Sequence, residues 1–117
     1  MKRDPLRIKS YSFAVKIVNI SRLLFLEKRE YVLGKQLLRS GTSIGAQIME
    51  AEFAQSRSDF QHKMNIALKE ANETNYWLCL LRDANLIDPD KFDELSSQCR
   101  ELIAMLVATT KTLKMRK

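Results

Sequence analysis

The sequence predicts an all-α protein, an up-down-up-down antiparallel four-helix bundle. Two observations carry that expectation. The 117 residues include only 3 glycines and 2 prolines against 45% hydrophobic residues, so helix breakers are scarce. Four segments also place apolar residues at steps of three and four, joined by short polar connections. The length fits one domain over residues 1–117, and no repeat, linker or low-complexity tract interrupts it.

The expected helices cover about 10–28, 31–55, 58–85 and 89–114. In the first, Ser10 or Ser12 serves as cap and Ala14, Ile17, Val18, Leu24 and Phe25 supply the apolar face. The run "EKRE" then makes a short turn. In the second helix Leu33, Leu37, Ile44, Ile48 and Ala51 form the stripe, with Ser40 and Gly41 where further apolar residues belong. Ser58 with Gln61 reads as a capping box for the third helix, whose inner side is Phe60, Met64, Ala67, Ala71, Leu78 and Leu81. Asp88 followed by Pro89 starts the fourth. There Phe92, Leu95, Cys99, Leu102, Leu106, Thr109 and Leu113 alternate steps of three and four, a seam suited to near-parallel packing.

The formal charge of +6 favours polyanionic partners. In the expected topology one pole gathers Lys2, Arg3, Arg7, Lys9, Arg57, Lys111, Lys114, Arg116 and Lys117. The other mixes Glu27, Glu30, Asp83, Asp88, Asp90, Asp93 and Glu94 with fewer bases. The basic pole is therefore the candidate RNA- or DNA-binding surface. The competing reading gives these bases only solubility and helix-dipole roles. Aromatic residues do not interleave with them, so contact would run through phosphates rather than stacked bases. No apolar run reaches 18 residues, which argues against a membrane span. The start "MKRDPLRIKS" lacks the apolar core of a signal peptide, and two cysteines without one fit the cytoplasm.

Catalytic and metal chemistry find little material. His62, Cys79 and Cys99 are the whole supply of Cys and His, short of the four ligands a structural zinc takes. A di-iron bundle needs two Glu-x-x-His pairs, and one histidine cannot make them. Cys99 falls in the apolar seam and His62 near a helix start, not as a nucleophile and base in contact. "GTSIG" sits within helical periodicity rather than after a strand. The expectation is a protein with no catalytic site, cofactor or metal.

The polar residues beside the glycines say more. Gln36, Arg39, Ser43, Gln47 and Glu50 recur at helical steps, and a hairpin turning near Arg57 sets Arg39 opposite Glu73 and Glu50 opposite Lys63. Such a stripe serves either as an ion-pair network fixing register or as a ligand contact. A glycine inside a helix costs about 1 kcal/mol relative to alanine. Ser40, Gly41, Gly45 and Ala46 offset this if another helix packs close against them, in the same bundle or another subunit. Phe13, Ile20, Ile66, Trp77 and Met105 lie off the main stripes and widen the apolar arcs, which points to a homo-oligomer.

The stretches "QLLRSGTSIGAQIMEA" and "SRSDFQHKMNIALKEANET" resemble bacterial four-helix-bundle proteins related to those encoded in intervening sequences of 23S ribosomal RNA genes. "SYSFAVKIV" and "YWLCLLRDANLI" agree, so the resemblance spans about residues 10–87. The matching positions are Gln36, Arg39, Ser40, Ser43, Ile44, Ile48 and Glu50, then Ser56, Asp59, Phe60, Ile66, Ala67 and Glu73; Gln47 stands where the family pattern has asparagine. The resemblance implies a homopentamer with no assigned activity. A similar bundle is the accessory protein of a retroelement reverse transcriptase, which makes RNA, DNA and such a polymerase the implied partners.

Overall fold

Proline opens two of the helices. The computed structural model describes residues 4–115, with side chains through residue 112. Among them are four helices: α1 (Pro5–Leu26), α2 (Tyr31–Glu52), α3 (Arg57–Asp83) and α4 (Pro89–Met115). Asp4 caps α1 by accepting the Leu6 N–H at 3.0 Å, with Pro5 in the first turn. The helix thus starts earlier than residue 10, on the same Asp-Pro signal that starts α4. Ser10 is buried instead, its hydroxyl donating to the Arg7 carbonyl at 3.1 Å.

The other boundaries have equally local causes. Glu30 caps α2 by accepting the Leu33 N–H at 3.2 Å. Arg29 before it takes φ 53°, the left-handed conformation that turns the chain between α1 and α2. The cap of α3 is Ser56 rather than Ser58. It accepts the Asp59 N–H at 3.0 Å, while Asp59 accepts the Gln55 N–H at 3.3 Å. The expected Ser58–Gln61 box is thus replaced by Ser56 and Asp59, and the return bond from the aspartate reaches the N–H of Gln55, one residue before the cap. Asn85, at φ 61°, lets the chain leave α3.

Each helix packs on the next, and α4 returns beside α1 with a sparser contact, in an antiparallel bundle 47 × 26 × 20 Å. The inward faces of α2, α3 and most of α4 follow the expected stripes: Leu37, Ile44, Ile48 and Ala51, then Met64, Ala67, Ala71, Leu78 and Leu81, then Phe92, Leu95, Cys99, Leu102 and Leu106. Thr110 rather than Thr109 takes the next inward place, and the Leu113 side chain lies outside the described residues.

In α1 the inward face differs. Leu6, Phe13, Ile17, Ile20 and Leu24 are buried, whereas Val18 is exposed and Ala14 and Phe25 are half-buried. The helix is apolar on two opposite sides, so spacing alone could not tell which turns inward. Phe13 and Ile20 are therefore core residues, not material for a subunit contact. Trp77 and Met105 also pack partly against the core, and Ile66 is half-buried.

The glycines divide by what surrounds them. A Cβ on Gly41 would stand 2.8 Å from both γ carbons of Ile17, and one on Gly34 would stand 2.6 Å from Cε1 of Phe25. At Gly45 the nearest atom is Ser10 Oγ at 3.4 Å, close to ordinary contact. Close approach within the bundle thus belongs to Gly41 and to Gly34, which the sequence reading passed over. Ser40 is buried between helices, and Ala46 is exposed in the protomer.

Gly41→Ala should lower stability by about 1–3 kcal/mol, because overpacking against Ile17 outweighs the gain in helix propensity. Gly45→Ala should hold stability or raise it by up to about 1 kcal/mol, propensity then meeting little steric resistance. Paired thermal or urea melts check the contrast, and equal losses at both sites would contradict it.

Candidate nucleic-acid interface and the polar face of α2 and α3

The polar stripe on α2 meets α3 as the hairpin geometry requires. Arg39 donates to Glu70 Oε1 at 3.1 Å, to Glu73 Oε2, and to Gln36 Oε1 at 3.3 and 3.4 Å. Glu73 also accepts from the indole N–H of Trp77 at 3.1 Å. One guanidinium thus draws two carboxylates one turn apart on α3 and an amide on its own helix to a single point. Further along, Lys63 Nζ lies 3.0 Å from Glu50 Oε1, and this hydrogen bond together with the carboxylate's charge raises the lysine pKa. Glu70 is the partner the sequence reading missed. It lies one turn before Glu73, within reach of the same arginine.

Two other expected members are less engaged. Ser43 is half-buried. The side-chain oxygen of Gln47 is shielded and accepts no hydrogen bond from the described residues. Behind the face, hydroxyls tie the helices together: Thr74 Oγ1 lies 2.9 Å from Ser40 Oγ, and Ser96 donates to Asn75 Oδ1 at 3.2 Å. These bonds link α2 to α3 and α3 to α4 at one level of the bundle. Small polar residues therefore set register where an all-aliphatic seam could slide.

At the basic pole the described cations are already partly balanced. Arg7 Nη1 sits 3.2 Å from Glu52 Oε2, and Lys9 Nζ sits 3.1 Å from Glu101 Oε2. Arg57 opens α3, exposed, and Lys111 is exposed near the end of α4. Lys2, Arg3, Arg116 and Lys117, together with the Lys114 side chain, lie outside the described residues. Elsewhere Lys16 and Lys91 both bond Glu94 and depress its pKa.

The nucleophile candidates are kept apart by burial. Cys99 is fully buried, its thiol donates to the Ala71 carbonyl at 3.2 Å, and loss of hydration pushes its pKa up to about 12. His62 is exposed and Cys79 is half-buried. Among the described residues no group of three or more His, Cys, Asp or Glu could hold a metal ion, and no helix is long and apolar enough to cross a membrane.

This arrangement defines a four-helix bundle with an ion-paired polar face across α2 and α3 and further pairs between α1 and α4. The chain belongs to the 23S rRNA-intervening sequence protein family, whose model matches residues 6–108. A solved structure from Bacteroides thetaiotaomicron, described as a protein of unknown function from the S23 ribosomal protein family, superposes with a TM-score of 0.89. It is 50% identical, over 91% of this chain and 98% of that one. No curated protein matches the chain.

Arg39→Gln should lower stability by about 1 kcal/mol, since the pairs are partly exposed but their loss leaves Glu70 and Glu73 facing each other. Emission from the single tryptophan, which shares Glu73 with Arg39, should shift with it. An unchanged melt would remove the network from the account of stability. For the thiols, a native-state titration with a disulfide reagent should label Cys79 well before Cys99, and both at once only in denaturant. Rapid native labelling of Cys99 would contradict its burial.

Proposed function

We propose that this protein is a non-enzymatic, self-assembling bundle whose basic pole contacts the phosphates of RNA or DNA, as an accessory to a nucleic-acid-handling enzyme such as a reverse transcriptase. The observation that carries this reading is the uneven placement of a net charge of +6. Arg7, Lys9, Arg57 and Lys111 lie toward one end of the described bundle, while Asp83, Asp88, Asp90 and Asp93 lie around the α3–α4 turn at the other. In a ring of copies, a homopentamer as the family resemblance implies, those ends add into one positive rim. Each phosphate neutralised releases condensed counterions, which supplies affinity without reading sequence.

One feature favours a second reading, a protein scaffold that binds no nucleic acid. Arg7 and Lys9 are balanced by Glu52 and Glu101, so the basic pole presents fewer uncompensated cations than its lysines and arginines alone suggest. The two readings differ in salt dependence.

Titration against single-stranded RNA, duplex RNA and duplex DNA should show log affinity falling linearly with log salt. The slope should be about 0.9 per phosphate neutralised on duplex DNA and about 0.7 on single strands. Changing Lys111, Lys114, Arg116 and Lys117 together to glutamine should weaken binding equally across sequences and flatten the slope, with the melt unchanged. No binding to any of the three at low salt would favour the scaffold.

A further inference from the structure

Where α1 ends against the α3–α4 turn, a groove of about 490 Å³ opens at the pole opposite Arg7 and Lys9. Its floor is the edge of the core. Ile20, Leu24 and Ile87 are buried there, and Leu23, 45% exposed, stands at the mouth. The cause lies in the packing of the helices. α4 touches α1 more sparingly than the other neighbouring helices touch each other, so the core stays unclosed along this seam. A smaller cleft of about 90 Å³, sharing Ile20, Leu23 and Lys91, carries the groove on between α1 and α4.

We propose that this groove docks a segment of a protein partner, one that carries lysine or arginine beside a bulky apolar side chain. The inference concerns the pole away from the basic one and rests on neither nucleic-acid contact nor self-assembly.

Charge selects the occupant. Of the bases lining the groove, Arg82 is bonded to Asp83 and stacked 4.3 Å over the Phe92 ring, and Lys91 shares Glu94 with Lys16. Lys28 has no carboxylate partner among the described residues. Against these stand Glu27 and Asp88 on the rim, with Asp90 and Asp93 in the first turns of α4, none of them in an ion pair among the described residues. The balance of the rim is therefore acidic. Such a field repels a phosphate, whether of nucleic acid or of a lipid headgroup, and draws in an ammonium or guanidinium. Shape narrows the choice further. The volume falls within the roughly 300–1,000 Å³ of ligand clefts. Its apolar floor can desolvate one large side chain, the kind of anchor that carries most binding energy. The extension along the seam gives a chain segment room that a compact organic cation would leave empty.

The test is fluorescence anisotropy with short labelled peptides of alternating lysine and leucine, lysine and serine, or glutamate and leucine. Three variants of the full chain accompany the wild type. Glu27→Gln with Asp88→Asn removes charge from the rim. Leu23→Glu removes the apolar mouth while adding charge of the sign that attracts lysine, so weakening there reports lost apolar contact. Glu52→Gln with Glu101→Gln makes the same change in net charge at the other pole. The wild type should bind the lysine–leucine peptide in preference to both others. Affinity should fall about fivefold or more in the rim pair and in Leu23→Glu, and by less than about twofold in the control pair, with helical circular dichroism retained throughout. A wild type that does not bind the lysine–leucine peptide, or binds the lysine–serine peptide equally well, would overturn the groove. So would equal losses in the rim and control pairs, or full affinity in Leu23→Glu.

Discussion

Gly41 lets α2 lie so close to α1 that an added methyl would sit 2.8 Å from both γ carbons of Ile17. That approach sets the spacing of the first helical pair, and the rest of the bundle follows from it. With α2 drawn onto α1, Leu37, Ile44 and Ile48 reach the centre, and the neighbouring Ser40 turns toward Thr74 of α3. The propensity lost at a glycine, about 1 kcal/mol, is offset by dispersion contacts along the seam, each small but numerous. Gly34 repeats the arrangement one helical stretch earlier against Phe25.

The two flanks of α2 then acquire different characters. Toward α3 it presents Arg39 and Glu50, which close ion pairs with Glu70, Glu73 and Lys63. Toward the outer side of α1 it presents Gly45, Ala46 and Met49, which close nothing within the protomer. A charged flank fixes the hairpin's register through bonds that work at only one alignment. The apolar flank closes no such bond within the protomer among the described residues. Family membership and the likeness to the Bacteroides thetaiotaomicron protein place the fold securely and assign no chemistry to it.

Much of this was legible in the residues. The pairing of Arg39 with Glu73 and of Glu50 with Lys63 could be read because a single turn near Arg57 fixes every opposing pair on an antiparallel hairpin. The seam of α4 could be read because most of its large apolar residues fall on one side, with Met105 and Val107 off it. The inward face of α1 could not. Ser10 and Ser21 both face inward and are buried, while Val15 and Val18 face out, so the apolar pattern marks two opposite sides with nearly equal weight. What decides between them is the shape of α2, whose glycine accepts Ile17, and that is tertiary information. The starts of α2 and α4 fell where expected. The caps of α1 and α3 were missed for a smaller reason: several Ser and Asp residues near those termini can cap, and only backbone geometry selects among them.

The central claim is that Gly41 and Ile17 are coupled through close packing. A double-mutant cycle on Gly41→Ala and Ile17→Ala measures this directly, because alanine at position 17 removes both γ carbons that crowd the new methyl. The account predicts that Gly41→Ala is markedly less destabilising in the Ile17→Ala background than alone, with a coupling of about 1 kcal/mol or more. Strict additivity of the two substitutions would contradict it.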